Sequence, residues 1–249
     1  MPWARASALD RHMACPASSH LPRLDRGVWA LGYLQTGDLV IPPGPIELKD
    51  TTAADWGTAM HSAKSNDATA SDPWLTLMDP FRDAMWPAAL GVHEQAVAYD
   101  CRTREVKLGP VNLPVDQMNA WKAAQSDDSV VGTADWWGAL PTGEPWIDDL
   151  KTGWRTPEVL TPQMLFYAMC HRLEAKANSC RVSITHFPRA ASEPTREGLW
   201  RQAGPVTLDN FQDELHHAWV RAVGFNASAK PGPHCHYCAS ALVCDRAND

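Results

Sequence analysis

The feature that most constrains the fold is a change of hydrophobic period in the second half of the chain. Two stretches that alternate as strands do are joined by a short turn and followed by a long stretch with helical spacing, before strand alternation returns. These stretches predict strands at 130–137 and 145–151, a helix at 157–176 with Pro162 in its first turn, and a strand at 180–187.

Elements predicted on either side complete the same plan. They are strands at 92–100 and 104–108, and helices at 7–14, 53–66, 72–88, 115–124 and 206–224. We expect Ser7 to cap the first helix, and Thr207 or Asp209 to open the last one. This order of elements predicts an α/β fold in which helices flank a central mixed sheet.

Size and charge narrow the class of protein. The 249 residues predict a single domain over 1–249, large enough to bury a core. The net charge of -7 argues against tight coating of DNA, although carboxylates in a metal site would contribute to it. Because the N-terminus lacks an apolar signal region and no apolar run reaches the length of a membrane span, we expect a cytosolic protein with no membrane partner.

Three polar residues on neighbouring predicted strands form the main candidate site. Asp149 and Lys151 are two apart and therefore face the same side of a strand, and Asp135 on the preceding strand can meet them across the sheet. Two carboxylates are hard ligands suited to Mg²⁺ or Mn²⁺, and an ammonium can position water or stabilise charge on a phosphate. The alternative is a salt bridge at the end of a surface strand.

Other polar residues fall near this site. His61 lies one helical turn after Gly57, and Gln163 lies one turn before Tyr167. We expect His61 to reach the metal, and Gln163 and Tyr167 to bind the DNA backbone or hold Lys151. A core or capping histidine and an amphipathic helix edge are the simpler explanations. Glu94 is either a further metal carboxylate or a solvated strand residue, and Asp148 should face away from Asp149.

At these residues the chain resembles the RecB-like branch of the PD-(D/E)XK nuclease superfamily. The matching motifs are G-x-x-x-H from Gly57 to His61, G-x-x-D from Gly132 to Asp135, D-x-K-T-G from Asp149 to Gly153, and Q-x-x-x-Y from Gln163 to Tyr167. The resemblance implies a restriction-endonuclease-like core. It also implies a Mg²⁺ or Mn²⁺ site formed by His61, Asp135, Asp149 and the Leu150 carbonyl, with Lys151 as the catalytic lysine.

Four cysteines predict a second site that joins the two termini. Cys235, Cys238 and Cys244 form a compact clip with three ligands, and Cys15 is the natural fourth. Zinc is the alternative, with His234 or His236 in place of Cys15. The N-terminal setting resembles the iron–sulfur subset of the same branch, which includes the AddB nuclease domain and the CRISPR-associated adaptation nuclease. This resemblance implies a 4Fe–4S cluster built from residues 1–20 and 230–249.

The function expected from these motifs is that of a DNA exonuclease acting on ends or single strands. Lys64 and Arg155 are candidate phosphate contacts and Trp154 a candidate base-stacking platform, although an ordinary surface or core position is the simpler explanation for each. Such an enzyme would serve phage recombination, end resection or spacer processing, beside a helicase, a recombinase or a CRISPR adaptation partner. The alternatives are a non-catalytic DNA-end binding subunit and a zinc-stabilised interaction module.

Overall fold

The computed structural model describes residues 3–15, 89–153, 156–188 and 197–223, together with 230 and 232. The predicted helices at 53–66 and 72–88 lie outside these residues. The strands are β1 Ala4–Arg5, β2 Gly91–Asp100, β3 Glu105–Leu108, β4 Ser129–Ala139, β5 Pro145–Gly153, β6 Cys180–Pro188 and β7 Glu197–Ala203. The helices, numbered within the described residues, are α1 Leu9–Ala14, α2 Val115–Ala123, α3 Pro162–Ala175 and α4 Pro205–Val223, and a 3₁₀ turn spans Ala6–Ala8.

The described strands form one seven-stranded mixed sheet in the order β3-β2-β4-β5-β6-β7, with β1 paired to β4. β5 and β6 are parallel, with α3 as their crossover connection, and β1 runs parallel to β4, whereas the other neighbours are antiparallel. The prediction of an α/β protein with a mixed central sheet and flanking helices is confirmed.

Helices α3 and α4 pack beside the sheet and share its main hydrophobic core. Buried side chains of β4, such as Trp137, and of β6, such as Ile184, belong to the same core as Phe166 and Leu215 of the two helices. The Arg172 guanidinium of α3 lies 2.7 Å from Asp209 of α4 and joins the helices at their polar margin. Among the described residues no helix has the length and apolar surface needed to cross a membrane.

Several predicted boundaries were wrong for identifiable reasons. Ser7 is not a cap, because it lies inside the 3₁₀ turn and Ala8 precedes α1. Helix α3 begins at Pro162 rather than at 157. Thr161 caps it, because its side-chain oxygen accepts the Met164 amide at 3.3 Å. Helix α4 begins at Pro205, so that Thr207 and Asp209 lie inside it and do not open it.

Two strands were not predicted. β1 is only two residues long, and it pairs with Val130 and Val131 of β4. β7 is an edge strand that places Ala203 in the core and leaves the Trp200 side chain 52% exposed, with the Arg181 guanidinium 4.5 Å from its ring centre. A single large apolar residue facing outward obscures the usual alternation of a half-buried strand.

Candidate active site

Asp149 and Lys151 lie on the same side of β5, as their spacing predicts. The Lys151 Nζ atom is 2.7 Å from Asp149 Oδ2. The Asp149 side chain is almost fully buried, whereas 42% of the Lys151 side chain remains exposed to solvent. The ion pair therefore has a buried acidic end and an accessible basic end.

Asp135 lies where the ladder between β4 and β5 ends. The last pair in that ladder is Trp136 with Asp148, so continuing its register would place Asp135 opposite Asp149. At this point Asp135 Oδ2 accepts the backbone amide of Leu150 at 2.7 Å. The structure therefore brings the two carboxylates to facing positions of neighbouring strands, where like charges repel unless a cation lies between or beside them.

The electrostatic environment keeps Lys151 charged. Burial alone lowers the pKa of Lys151, but the neighbouring carboxylates of Asp149 and then Asp135 outweigh it, so that the pKa lies above its ordinary value. Both carboxylates thus act on the same ammonium group. Lys151 is consequently a proton-bearing donor at neutral pH and not a base.

Tyr167 of α3 completes the wall of the site from inside the protein. Its hydroxyl donates to the Thr133 carbonyl oxygen at 2.8 Å, and Gln163 Nε2 lies 3.5 Å from the same hydroxyl. Burial raises the pKa of Tyr167 well above its usual range, and the charges of Asp149 and Asp135 raise it further. The hydroxyl is therefore directed at the backbone of β4 rather than at Lys151.

The glycine of the G-x-x-D motif makes room for this contact. A Cβ atom on Gly132 would lie 2.7 Å from the Tyr167 ring and hydroxyl and 2.8 Å from the Cβ of Ala6. No side chain fits between the strand and the tyrosine without displacing one of them. Gly132 is thus needed for packing against α3, which in turn stabilises β4 just before Asp135.

Asp148 faces the other side of the sheet, as expected. Its two carboxylate oxygens accept from Ser183 Oγ at 2.5 Å and Thr185 Oγ1 at 2.7 Å on β6, and it is almost completely buried. The Trp146 indole donates to the same Ser183 hydroxyl at 2.7 Å. These bonds fix β5 against β6 directly beneath Asp149.

His171 is a buried polar residue that sequence reasoning missed. It lies on α3 one turn after Tyr167, stacks on Trp137 with ring centres 4.1 Å apart, and its Nε2 is 2.6 Å from the Gly138 carbonyl oxygen. The signal that could have identified it is the spacing of Gln163, Tyr167 and His171 at successive turns of one helix face. Through these contacts α3 binds the backbone of β4 on both sides of Asp135.

The remaining predicted site residues divide into those that the structure describes and those that it does not. Glu94 is half-buried on β2, and Cys15 is buried at the end of α1. Those that lie outside the described residues are His61, Lys64, Trp154, Arg155, His234, Cys235, His236, Cys238 and Cys244. Within the described ranges no three His, Cys, Asp or Glu side chains come together as a metal site.

Comparison with known proteins gives three findings. No curated protein matches the sequence. A solved structure titled "Crystal structure of SSO0001" aligns over 97% of this chain and 84% of its own, with 10% identity and a TM-score of 0.44. The profile of the PD-(D/E)XK nuclease superfamily matches residues 6–245, which is almost the whole chain. The chain, with Asp135, Asp149 and Lys151 on adjoining strands of its sheet, belongs to the PD-(D/E)XK nuclease superfamily.

Proposed function

We propose that the chain is a metal-dependent deoxyribonuclease that hydrolyses phosphodiester bonds, acting as an exonuclease on DNA ends or single strands. The observation that supports this best is the contact between Asp149 and Lys151, with Asp135 at the facing position of β4. Such an arrangement offers a buried anionic pocket for a cation and an exposed cation for a phosphate. Membership of a nuclease superfamily supports the same chemistry.

The donor set fits Mg²⁺ or Mn²⁺. Asp135 and Asp149 are buried carboxylates, and hard divalent ions prefer carboxylate, carbonyl and water oxygens. The Leu150 carbonyl and His61, the latter outside the described residues, are the further ligands that we propose. A bound ion would polarise the phosphate and lower the pKa of a water molecule.

The protein's own groups have separate tasks in this proposal. The Lys151 ammonium donates to a phosphate oxygen or to the attacking water, because its raised pKa keeps the proton in place. The water oxygen gives up a proton to solvent and forms a bond to phosphorus, while the bond to the 3′ oxygen breaks and that oxygen takes up a proton from solvent. The products are a 5′-phosphate and a 3′-hydroxyl. Tyr167 stabilises β4 through the Thr133 carbonyl, and Gln163 lies beside the Tyr167 hydroxyl.

The test compares cleavage of end-labelled single-stranded, double-stranded and circular DNA with Mg²⁺ or Mn²⁺. We expect wild type to degrade linear DNA and to leave circles intact, and Lys151→Ala to fold normally but to lose cleavage by at least about a hundredfold, the loss typical of removing one stabilising donor. Lys107→Ala, an exposed lysine on β3, is the matched control and should cut normally. A folded Lys151→Ala protein that cuts at the wild-type rate would contradict the proposal, and wild type that binds DNA ends without cutting would favour a non-catalytic subunit.

We also propose that Cys15 joins Cys235, Cys238 and Cys244 in a 4Fe–4S cluster. Cys15 is 5% exposed, and the Lys230 backbone amide donates to its sulfur at 3.4 Å. Four residues separate Lys230 from Cys235, so the chain between these two residues spans at most about 18 Å. An amide donor to sulfur suits a thiolate that ligates a cluster.

Iron and zinc analysis tests this second proposal. We expect brown protein with about four iron atoms per chain, and loss of colour and iron in Cys15→Ala and in Cys238→Ala. Cys170→Ala, which removes a buried thiol of α3, is the matched control and should retain iron. Colourless protein with one zinc per chain, or iron unaffected by Cys15→Ala, would contradict the cluster.

A further inference from the structure

Glu94 adopts a backbone conformation that a strand residue rarely takes. Its φ is 51°, in the left-handed region, although it lies inside β2 and not in a turn. The pairs on either side of it are His93 with Trp136 and Gln95 with Ala134, and the pair between them, Glu94 with Asp135, is missing from the ladder. Glu94 of β2 is therefore opposite Asp135 of β4, and Asp135 is also the residue at which β4 separates from β5.

The alternation of side chains between the two faces of the sheet reverses in β4 near Asp135. Val130 and Ala134 share one hydrophobic core with Trp137, although a regular strand cannot place residues of even and odd number on the same face. Trp136 instead packs against Trp146, on the side of the sheet where Asp148 is bound. The reversal lies at residues 135–136, directly across from Glu94.

The carboxylate of Glu94 acts on a different part of the protein. Burial and the Arg5 guanidinium lower the pKa of Lys122 on α2, and the Glu94 carboxylate opposes them. Within the described residues Glu94 does not join Asp135 and Asp149 in a group of three metal ligands.

We propose that Glu94 is a positioning residue whose left-handed backbone, rather than its carboxylate, reverses the alternation of β2 and β4 so that Asp135 reaches the Leu150 amide beside Asp149. Where this concerns metal binding and cleavage, it rests on the proposed function. In this proposal Glu94 determines the local shape of the sheet and is not a metal ligand.

Three substitutions separate the backbone from the carboxylate. Glu94→Gly accepts the left-handed conformation without a side chain, and Glu94→Gln removes the charge alone. Glu94→Val disfavours the conformation, because a β-branched side chain clashes there. We expect Gly and Gln to keep Mn²⁺ affinity and cleavage within about twofold of wild type, and Val to weaken both by about tenfold, because its β-branched side chain adds strain to a conformation that Glu already adopts.

Arg104 supplies the matched control. It is another residue with a positive φ, 61°, but it lies in the turn between β2 and β3. Arg104→Val should lower the melting temperature, as Glu94→Val does, while leaving Mn²⁺ affinity and cleavage unchanged. The comparison separates general destabilisation from a displaced Asp135.

Hydrogen exchange at the Leu150 amide gives a measurement that does not depend on nuclease activity. This amide should exchange slowly in wild type, Glu94→Gly, Glu94→Gln and Arg104→Val, and faster in Glu94→Val, because Asp135 no longer accepts from it. Loss of metal affinity in both Gly and Gln variants, or unchanged Leu150 exchange in Glu94→Val, would overturn the inference. If exchange behaves as expected but wild type neither binds Mn²⁺ nor cuts DNA, the proposed function fails and the positioning role stands.

Discussion

The Asp135 carboxylate lies 2.7 Å from the Leu150 backbone nitrogen, and it takes the place of a ladder bond where β4 and β5 separate. One side chain thus stabilises the sheet and supplies a negative charge to the site. The two roles can be separated, because the hydrogen bond needs only an oxygen acceptor and a cation needs the charge.

Asp135→Asn and Asp135→Ala should therefore differ in stability but not in activity. Asn retains an oxygen that can accept the Leu150 amide, so its free energy of unfolding should stay within about 1 kcal/mol of wild type. Ala leaves that amide without an acceptor and should cost about 1–3 kcal/mol. Both should lose metal-dependent cleavage. Urea unfolding and a cleavage assay check this, and an active Asn variant would show that the charge is not required.

Tyr167→Phe should lower stability and reduce cleavage without abolishing it. The substitution removes the donor to the buried Thr133 carbonyl, at a cost of about 1–3 kcal/mol. Cleavage should fall because β4 is less well fixed before Asp135. Tyr99→Phe is the control, since its hydroxyl bonds Gln212 away from the site. Equal loss of activity in both variants would mean that the effect is general.

Gly132→Ala should destabilise the protein by about 1–3 kcal/mol, the usual cost of overpacking. The added methyl group would overlap Tyr167 and Ala6. Gly198→Ala on β7 is the control, because a Cβ there has no atom within 4 Å. Thermal unfolding of the two variants should show a clear loss for position 132 and almost none for 198, and the reverse order would contradict the packing described.

Acidification should weaken the fold through His171. Burial lowers the pKa of His171 below its ordinary value of 6.5, so the unfolded chain takes up a proton on this side chain more readily than the folded protein. The stability that depends on neutral His171 is complete above about pH 6.5 and declines as the pH falls below that value.

Denaturant unfolding between pH 7.5 and 5 would measure this loss. His171→Phe should keep the stacking on Trp137 but show a smaller loss of stability over the same interval. His217→Gln, on the exposed side of α4, is the control and should follow wild type. An identical pH dependence in wild type and His171→Phe would exclude His171 as the cause.

Local periodicity was sufficient to predict part of the site. Asp149 and Lys151 contact each other because residues two apart on a strand share a face, and that spacing is visible in the sequence. The strand–turn–strand–helix–strand order likewise predicted the sheet and the position of α3. Both depend on neighbours in sequence, where alternation and helical spacing are reliable guides.

Other features depend on contacts between distant segments and were not predicted. The acceptor of the Tyr167 hydroxyl is 34 residues away, and nothing local indicates that β4 and β5 separate at Asp135. The left-handed backbone of Glu94 could not be predicted from the sequence either, because Glu favours ordinary strand or helix conformations and the sheet imposes this one. β7 was missed because its outward face holds a tryptophan.

The most direct measurement of the central claim is Mn²⁺ binding by calorimetry, made on the same preparations as DNA cleavage, for wild type and Asp149→Asn. We expect wild type to bind Mn²⁺ and to cut DNA in proportion to the bound ion, and Asp149→Asn to remain folded while losing both properties. A folded Asp149→Asn protein that cuts DNA at the wild-type rate would contradict the assignment of this centre.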